Sequence, residues 1–183
     1  MTYKQITERI ESISQQIHLL KDEINVAEKE FISIEEIKIE DFTLVHKVNI
    51  NNVSEITLLS EEEWEKAKEI KSVPKYTSWW WLRSHGNYSN SAMDVYGNGD
   101  INYSGAYVGD TDDCVRPAFK IPNLKLEIGS KVFVENTLCT VIDDDFVLSD
   151  KTVCRHRFDS KSNDYETSEI KQFINSYQFE RML

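Results

Sequence analysis

The chain is poor in the residues that define several protein classes. Of its 183 residues, three are cysteine, three proline and six glycine. Cys114, Cys139 and Cys154 are odd in number and show no CxxC spacing. That argues against a disulfide framework or a zinc knuckle and predicts buried free thiols. No run approaches the roughly 18 apolar residues of a membrane span, and Met1-Thr2-Tyr3-Lys4 leads into polar sequence with no apolar signal core. A cytoplasmic location is expected. Positive charge is scarce too: 21 basic side chains against 32 acidic ones give a net charge of −11. This balance disfavours direct binding to nucleic acid or to an anionic membrane and favours a basic protein partner.

What is present is patterned. Ile6, Ile10, Ile13, Ile17, Leu20, Ile24, Ala27 and Phe31 recur alternately four and three residues apart, the spacing of a coiled-coil seam. The spacing predicts an oligomerisation helix over residues 1–33, with Ile10, Ile13, Ile17, Leu20 and Ile24 at its centre. Isoleucine at a favours a dimer, while the mixed d positions leave a trimer open. Glu23, Glu28 and Glu30 on the flanks would repel in a parallel homodimer, so antiparallel pairing or docking on a partner stays open as well.

After residue 33 the period changes. Ile37, Ile39, Phe42, Leu44 and Val48 read as short strands, and residues 55–59 as another. Ser60 with Glu63 three residues on is a capping box that opens a helix to about Lys71, with Trp64 and Ala67 facing inward. Residues 86–113 hold five of the six glycines together with asparagine, aspartate and four tyrosines, a composition of hairpins and side-chain-capped turns. Trp79, Trp80 and Trp81 cannot all face one way on a strand. Residues 115–121 read as a single strand, residues 131–134, 138–142 and 146–148 as a small meander, and Ser168 as the cap of a helix carrying Ile170, Phe173, Ile174 and Tyr177 that lies on that meander.

The chemistry-bearing residues form no catalytic constellation. Cys154 and His156 share a strand face without a third orienting group, and Asp143, Asp144 and Asp145 lack the spacing of a calcium loop. No catalytic residue, no metal and no cofactor is expected. Tyr88, Asn90, Tyr96, Asn98, Asn102, Tyr103 and Tyr107 combine rigid aromatic area with small polar contacts, as adaptable binding surfaces do. They are the expected partner-binding residues.

Trp80-Trp81-Leu82-Arg83-Ser84 at one end and Val115-Arg116-Pro117-Ala118 at the other resemble the signatures of a widespread bacterial and phage domain of unknown function with a C-type-lectin-like fold. Leu58, Leu59, Ser60 and Glu63 resemble its strand-to-helix entry, so the likeness spans residues 55–121. It implies a framework role for Trp80, Trp81, Arg83 and Arg116, and salt bridges from those arginines to Asp110, Asp112 and Asp113, with metal ligation by the three aspartates as the alternative. Tyr165, Ser168, Ile170, Phe173, Ile174, Asn175 and Phe179 look like the family's other helix, here after the tryptophan motif instead of before it, which implies a permuted half or a partial second copy. The motifs of calcium-dependent sugar binding are missing.

The expectation from sequence is therefore an α+β protein in three parts. These are a coiled-coil helix over residues 1–33, a lectin-like core of short antiparallel strands over 34–121, and a small β-meander plus helix over 122–183. The expected function is non-catalytic binding of a macromolecule by a phage-derived homo-oligomer, most concretely inhibition of a host defence nuclease such as a type II CRISPR effector. Two alternatives are a ligand-binding module of a virion or cell surface, and an enzyme of unrecognised type.

Overall fold

In a computed structural model the described residues are 34–38, 44–75 and 78–176. The heptad helix and its oligomerisation residues Ile10, Ile13, Ile17, Leu20 and Ile24 lie outside them, as do Tyr177 and Phe179.

Among the described residues the chain is mostly β, with twelve strands in two mixed sheets and two short α-helices. This corrects the expected α+β class with its lectin-like core of antiparallel strands: strands dominate the described part, and both sheets are mixed. The first sheet has seven strands: β1 (Ile34–Lys38), β2 (Leu44–Val48), β3 (Glu55–Thr57), β8 (Ala118–Lys120), β9 (Lys131–Val134), β10 (Thr137–Asp143) and β11 (Phe146–Ser149), in the order β1-β2-β9-β10-β11-β8-β3. The second has β4 (Trp80–His85), β5 (Ser91–Val95), β6 (Ile101–Tyr107), β7 (Cys114–Val115) and β12 (Cys154–Arg155), in the order β12-β7-β4-β5-β6.

The meander strands fall close to their expected places, but they do not stand apart. β9 runs parallel to β2, and β11 runs antiparallel to β8. The hairpins of residues 131–149 are thus spliced between two strands from earlier in the chain, β2 and β8. A meander has two open strand edges, and here both find partners in the earlier sequence.

The stretch expected as one strand over 115–121 is divided between the sheets. β7 ends at Val115, β8 begins at Ala118, and the chain crosses at Arg116-Pro117. Proline has no N–H for a ladder, so it suits the crossing. Arg116 is fully buried there. Its guanidinium lies 5.3 Å from the centre of the Trp64 ring and 5.1 Å from that of Trp80, and it donates to the carbonyls of Ser149 (2.9 Å) and Pro74 (3.0 Å).

Helix α1 (Glu61–Ala67) starts where the capping box predicts: Ser60 Oγ accepts from the Glu63 N–H at 3.2 Å, and Glu63 accepts from the Ser60 N–H at 2.8 Å. It buries Trp64 and Ala67. Ser60→Ala should cost about 1 kcal/mol and lower the melting temperature by roughly 2–4 °C in a circular-dichroism melt; an unchanged melt would show that the cap is redundant.

The tryptophan triplet alternates as the pleat requires. Trp80 packs with Trp64, Leu82, Val95 and Leu148 in one core cluster, and Trp64 meets it edge-on at 5.1 Å. Trp81 points to the opposite face, where Leu58, Val115, Phe158, Tyr165, Ile170 and Ile174 surround it. Helix α2 (Glu169–Ser176), whose Lys171 N–H bonds Ser168 Oγ, therefore covers the Trp81 face instead of the meander. The buried stripe of Ile170 and Ile174 found the larger apolar surface there.

Candidate functional site

The glycine- and tyrosine-rich tract builds the outer half of the five-stranded sheet. β5 pairs with both β4 and β6, and β6 is the edge strand. The turn after β4 folds back onto β6, with the Asn87 N–H donating to Ser104 O at 3.0 Å. Two glycines permit this approach: a Cβ on Gly86 would stand 2.5 Å from Ser104 O, and one on Gly105, where φ is +77°, would stand 2.6 Å from Ala92 O. The ladder slips here, so that Tyr103, Ser104 and Gly105 face Met93 alone. Such a bulge re-aims side chains.

The seven residues expected to bind a partner do not share one face. Tyr88 (71% exposed), Tyr103 (53%) and Tyr107 (56%) present their rings to solvent. Tyr103 leans towards α1 and donates its hydroxyl proton to Glu65 at 3.0 Å. Asn90 is exposed and fastens the end of β6, its carbonyl accepting from the Val108 N–H. Asn98 closes the β5–β6 turn by bonding Asp100 through both side-chain atoms. Tyr96 is half-buried, edge-on to the exposed Trp79 at 5.0 Å. Asn102 turns inward and donates to Asp94 Oδ1 at 3.0 Å.

Asp94 was not singled out by the sequence. It sits on β5 opposite Trp81 and is fully buried, and its Oδ2 has no hydrogen-bond partner among the described residues. Burial pushes its carboxyl up to about 6, against the hydrogen bonds from Asn102 and the Ala106 backbone. Asp113, at the entrance to β7, is 3% exposed; burial, then repulsion from Asp94, Asp110 and Asp112, pushes it up to about 7. A pair of carboxyls held near neutrality is a recurrent mark of functional sites.

The expected pairing of these aspartates with Arg83 and Arg116 is not what forms. Arg83 reaches the Leu58 carbonyl at 2.6 Å and both carboxylate oxygens of Glu63 at 2.5 and 2.6 Å, and Arg116 is held by carbonyls and indole faces. Asp112 instead approaches Arg155 at 3.7 Å on the exposed surface. Arg116 lies at the sheet crossing and Arg83 beside α1, and each has closer partners than the aspartates. Glu63 was legible as a cap, but nothing in its spacing announces a second role as the Arg83 partner.

Cys114 and Cys139 are buried free thiols and Cys154 is half-buried; burial pushes the thiols of Cys139 and Cys154 upward, away from the reactive thiolate. His156 stacks on Phe173 at 4.5 Å. Among the described residues no group of three or more His, Cys, Asp and Glu is placed to hold a metal ion, and no helix is long and apolar enough to cross a membrane.

Between Ser84 and Val115 the sequence has five aspartates and neither lysine nor arginine. The fold places most of that stretch in β5, β6 and their loops, so the strands carrying Tyr103 and Tyr107 supply no basic residue of their own, while Lys68 of the segment after α1 reaches Glu65, the partner of Tyr103. The result is an acidic, aromatic edge on a mixed-sheet β domain. The chain belongs to the family described as Domain of unknown function (DUF6273), which matches residues 3–123. The match ends before β9, although β9–β11 complete the seven-stranded sheet. No curated protein and no solved structure matches the chain.

Proposed function

We propose that the protein is a non-catalytic binding protein that engages a basic protein partner through the outer edge of its five-stranded sheet. One observation carries this reading: Tyr88, Tyr103 and Tyr107 are exposed within a stretch that has five aspartates and no lysine or arginine. Tyrosine faces attract arginine and lysine side chains, and surrounding carboxylates add long-range attraction. Aromatic rings also supply large contact area at small entropic cost.

Its most concrete form is a phage-derived inhibitor that occupies the basic nucleic-acid channel of a type II CRISPR effector nuclease. The size, the acidity and the likeness of the tryptophan and Val-Arg-Pro-Ala motifs to a bacterial and phage domain support that form. The test mixes the purified protein with such a nuclease and follows co-elution and DNA cleavage. Co-elution and slowed cleavage are expected for the native chain, and Tyr103→Lys/Tyr107→Lys should weaken both at least tenfold while leaving the circular-dichroism spectrum intact. If the native protein neither co-elutes nor slows cleavage, the nuclease form is wrong. The broader reading is tested by arrayed peptides: Lys/Arg-rich sequences should be retained at least tenfold more strongly than acidic ones, and equal retention would refute it.

A further inference from the structure

We infer that the cleft beside the β9–β10 hairpin is a binding site for a small amphipathic anion, an aromatic or branched apolar body bearing one carboxylate, sulfonate or phosphate group. It lies apart from the tyrosine edge and does not depend on the partner reading.

The cleft measures about 800 Å³, within the range of small-molecule sites, and its walls include Pro74, Phe133, Leu138 and Val153. Phe133 and Leu138 are cross-strand neighbours on β9 and β10, so they share a face, and Leu138 is left 37% exposed. Together with Pro74 and Val153 this pair gives the cleft an apolar wall against which a ligand body would pack.

The charge around the floor runs opposite to that of the whole protein. Asp150, in the lining, is matched by Lys131 at 2.5 Å and by Thr140 Oγ1 at 2.5 Å. Lys131 spends its remaining donors on Ser72 O and Thr140 Oγ1. Arg116 lies just beneath, because its two carbonyl acceptors, on Pro74 and Ser149, both belong to cleft-lining residues. Its Nη1 has no hydrogen-bond partner among the described residues. Lys151 lines the cleft itself. Three cations therefore stand against one carboxylate in a protein of net charge −11. A locally positive, low-dielectric concavity raises the concentration of small anions and excludes the large polyanions that the rest of the surface repels.

The test uses the full chain and two fluorescent probes of like shape, the anion 8-anilinonaphthalene-1-sulfonate and the neutral N-phenyl-1-naphthylamine. The anion should bind one site with a dissociation constant on the order of tens of micromolar, at least tenfold tighter than the neutral probe. Lys151→Glu should weaken the anion three- to tenfold and leave the neutral probe unchanged. Leu138→Asp, on the wall, should weaken both at least tenfold. Circular-dichroism melts verify that both variants fold. Equal affinity for the two probes, no effect of either substitution in a folded variant, or no saturable binding by the native chain would each overturn the inference.

Discussion

Asp113→Asn should make the protein more stable at pH 8 by roughly 3 kcal/mol, a gain from removing a charged residue. The carboxyl of Asp113 is pushed up to about 7 by burial and by Asp94, Asp110 and Asp112, whereas an unfolded chain leaves an aspartate near 3.8. An acid whose folded value lies above its unfolded one binds protons better in the folded state. Its full favourable contribution is therefore present below about pH 4, is lost progressively as pH rises to about 7, and stays lost above that. The asparagine variant cannot ionise and escapes the loss. Urea unfolding followed by tryptophan fluorescence should show native and variant proteins nearly equal at pH 4 and diverging up to pH 8. A constant difference across that range would mean that Asp113 is not ionising inside the fold. Asp94, held up to about 6 by burial on the same sheet, should add a second decline at slightly lower pH, and the two carboxyls titrate as a pair.

Arg116→Ala should be the most damaging single substitution considered, at about 4 kcal/mol or more. The side chain is fully buried at the crossing between the sheets. Its removal deletes two guanidinium–indole contacts and takes the donors from the carbonyls of Ser149 and Pro74, the first of these bonds being buried and the second partly so. Each such group costs on the order of 1–3 kcal/mol, and a cavity opens between Trp64 and Trp80. Arg116→Lys should recover less than half of the loss, because an ammonium cannot lie flat between two rings while donating in two fixed directions. Thermal melts should fall by roughly 10 °C for alanine. A drop of only a degree or two would show that the indoles close over the gap. Burial pulls this guanidinium down to about 10, with Asp150 working against the fall, so it remains charged through the neutral range.

Several parts of the fold were legible because they depend on neighbours in sequence. The capping box of Ser60 and Glu63 is closed within four residues, and both of its bonds form. The period-2 alternation of Trp80 and Trp81 places them on opposite faces whatever lies on those faces. The strands of residues 131–149 were visible in their own alternation and turns. Of the four tyrosines expected at the candidate site three stand exposed, while Asn102, expected on the same surface, faces the buried Asp94. An asparagine in a glycine-rich tract gives no local sign of which way its strand is turned.

The amino-acid sequence by itself determined the local elements, the acidic balance, the stretch without lysine or arginine and the alternation that divides the tryptophans between two cores. Only the tertiary structure decided that β9–β11 are inserted between β2 and β8, that the chain changes sheets at Arg116-Pro117, and that the arginines bind Glu63 and two indoles in place of the aspartates. The physical reason is range. Caps, turns and side-chain alternation are fixed by bonds spanning a few residues, whereas strand partners and buried charges are chosen by competition among surfaces far apart in the chain. That competition also buried Asp94 and Asp113 while leaving Tyr88, Tyr103 and Tyr107 exposed.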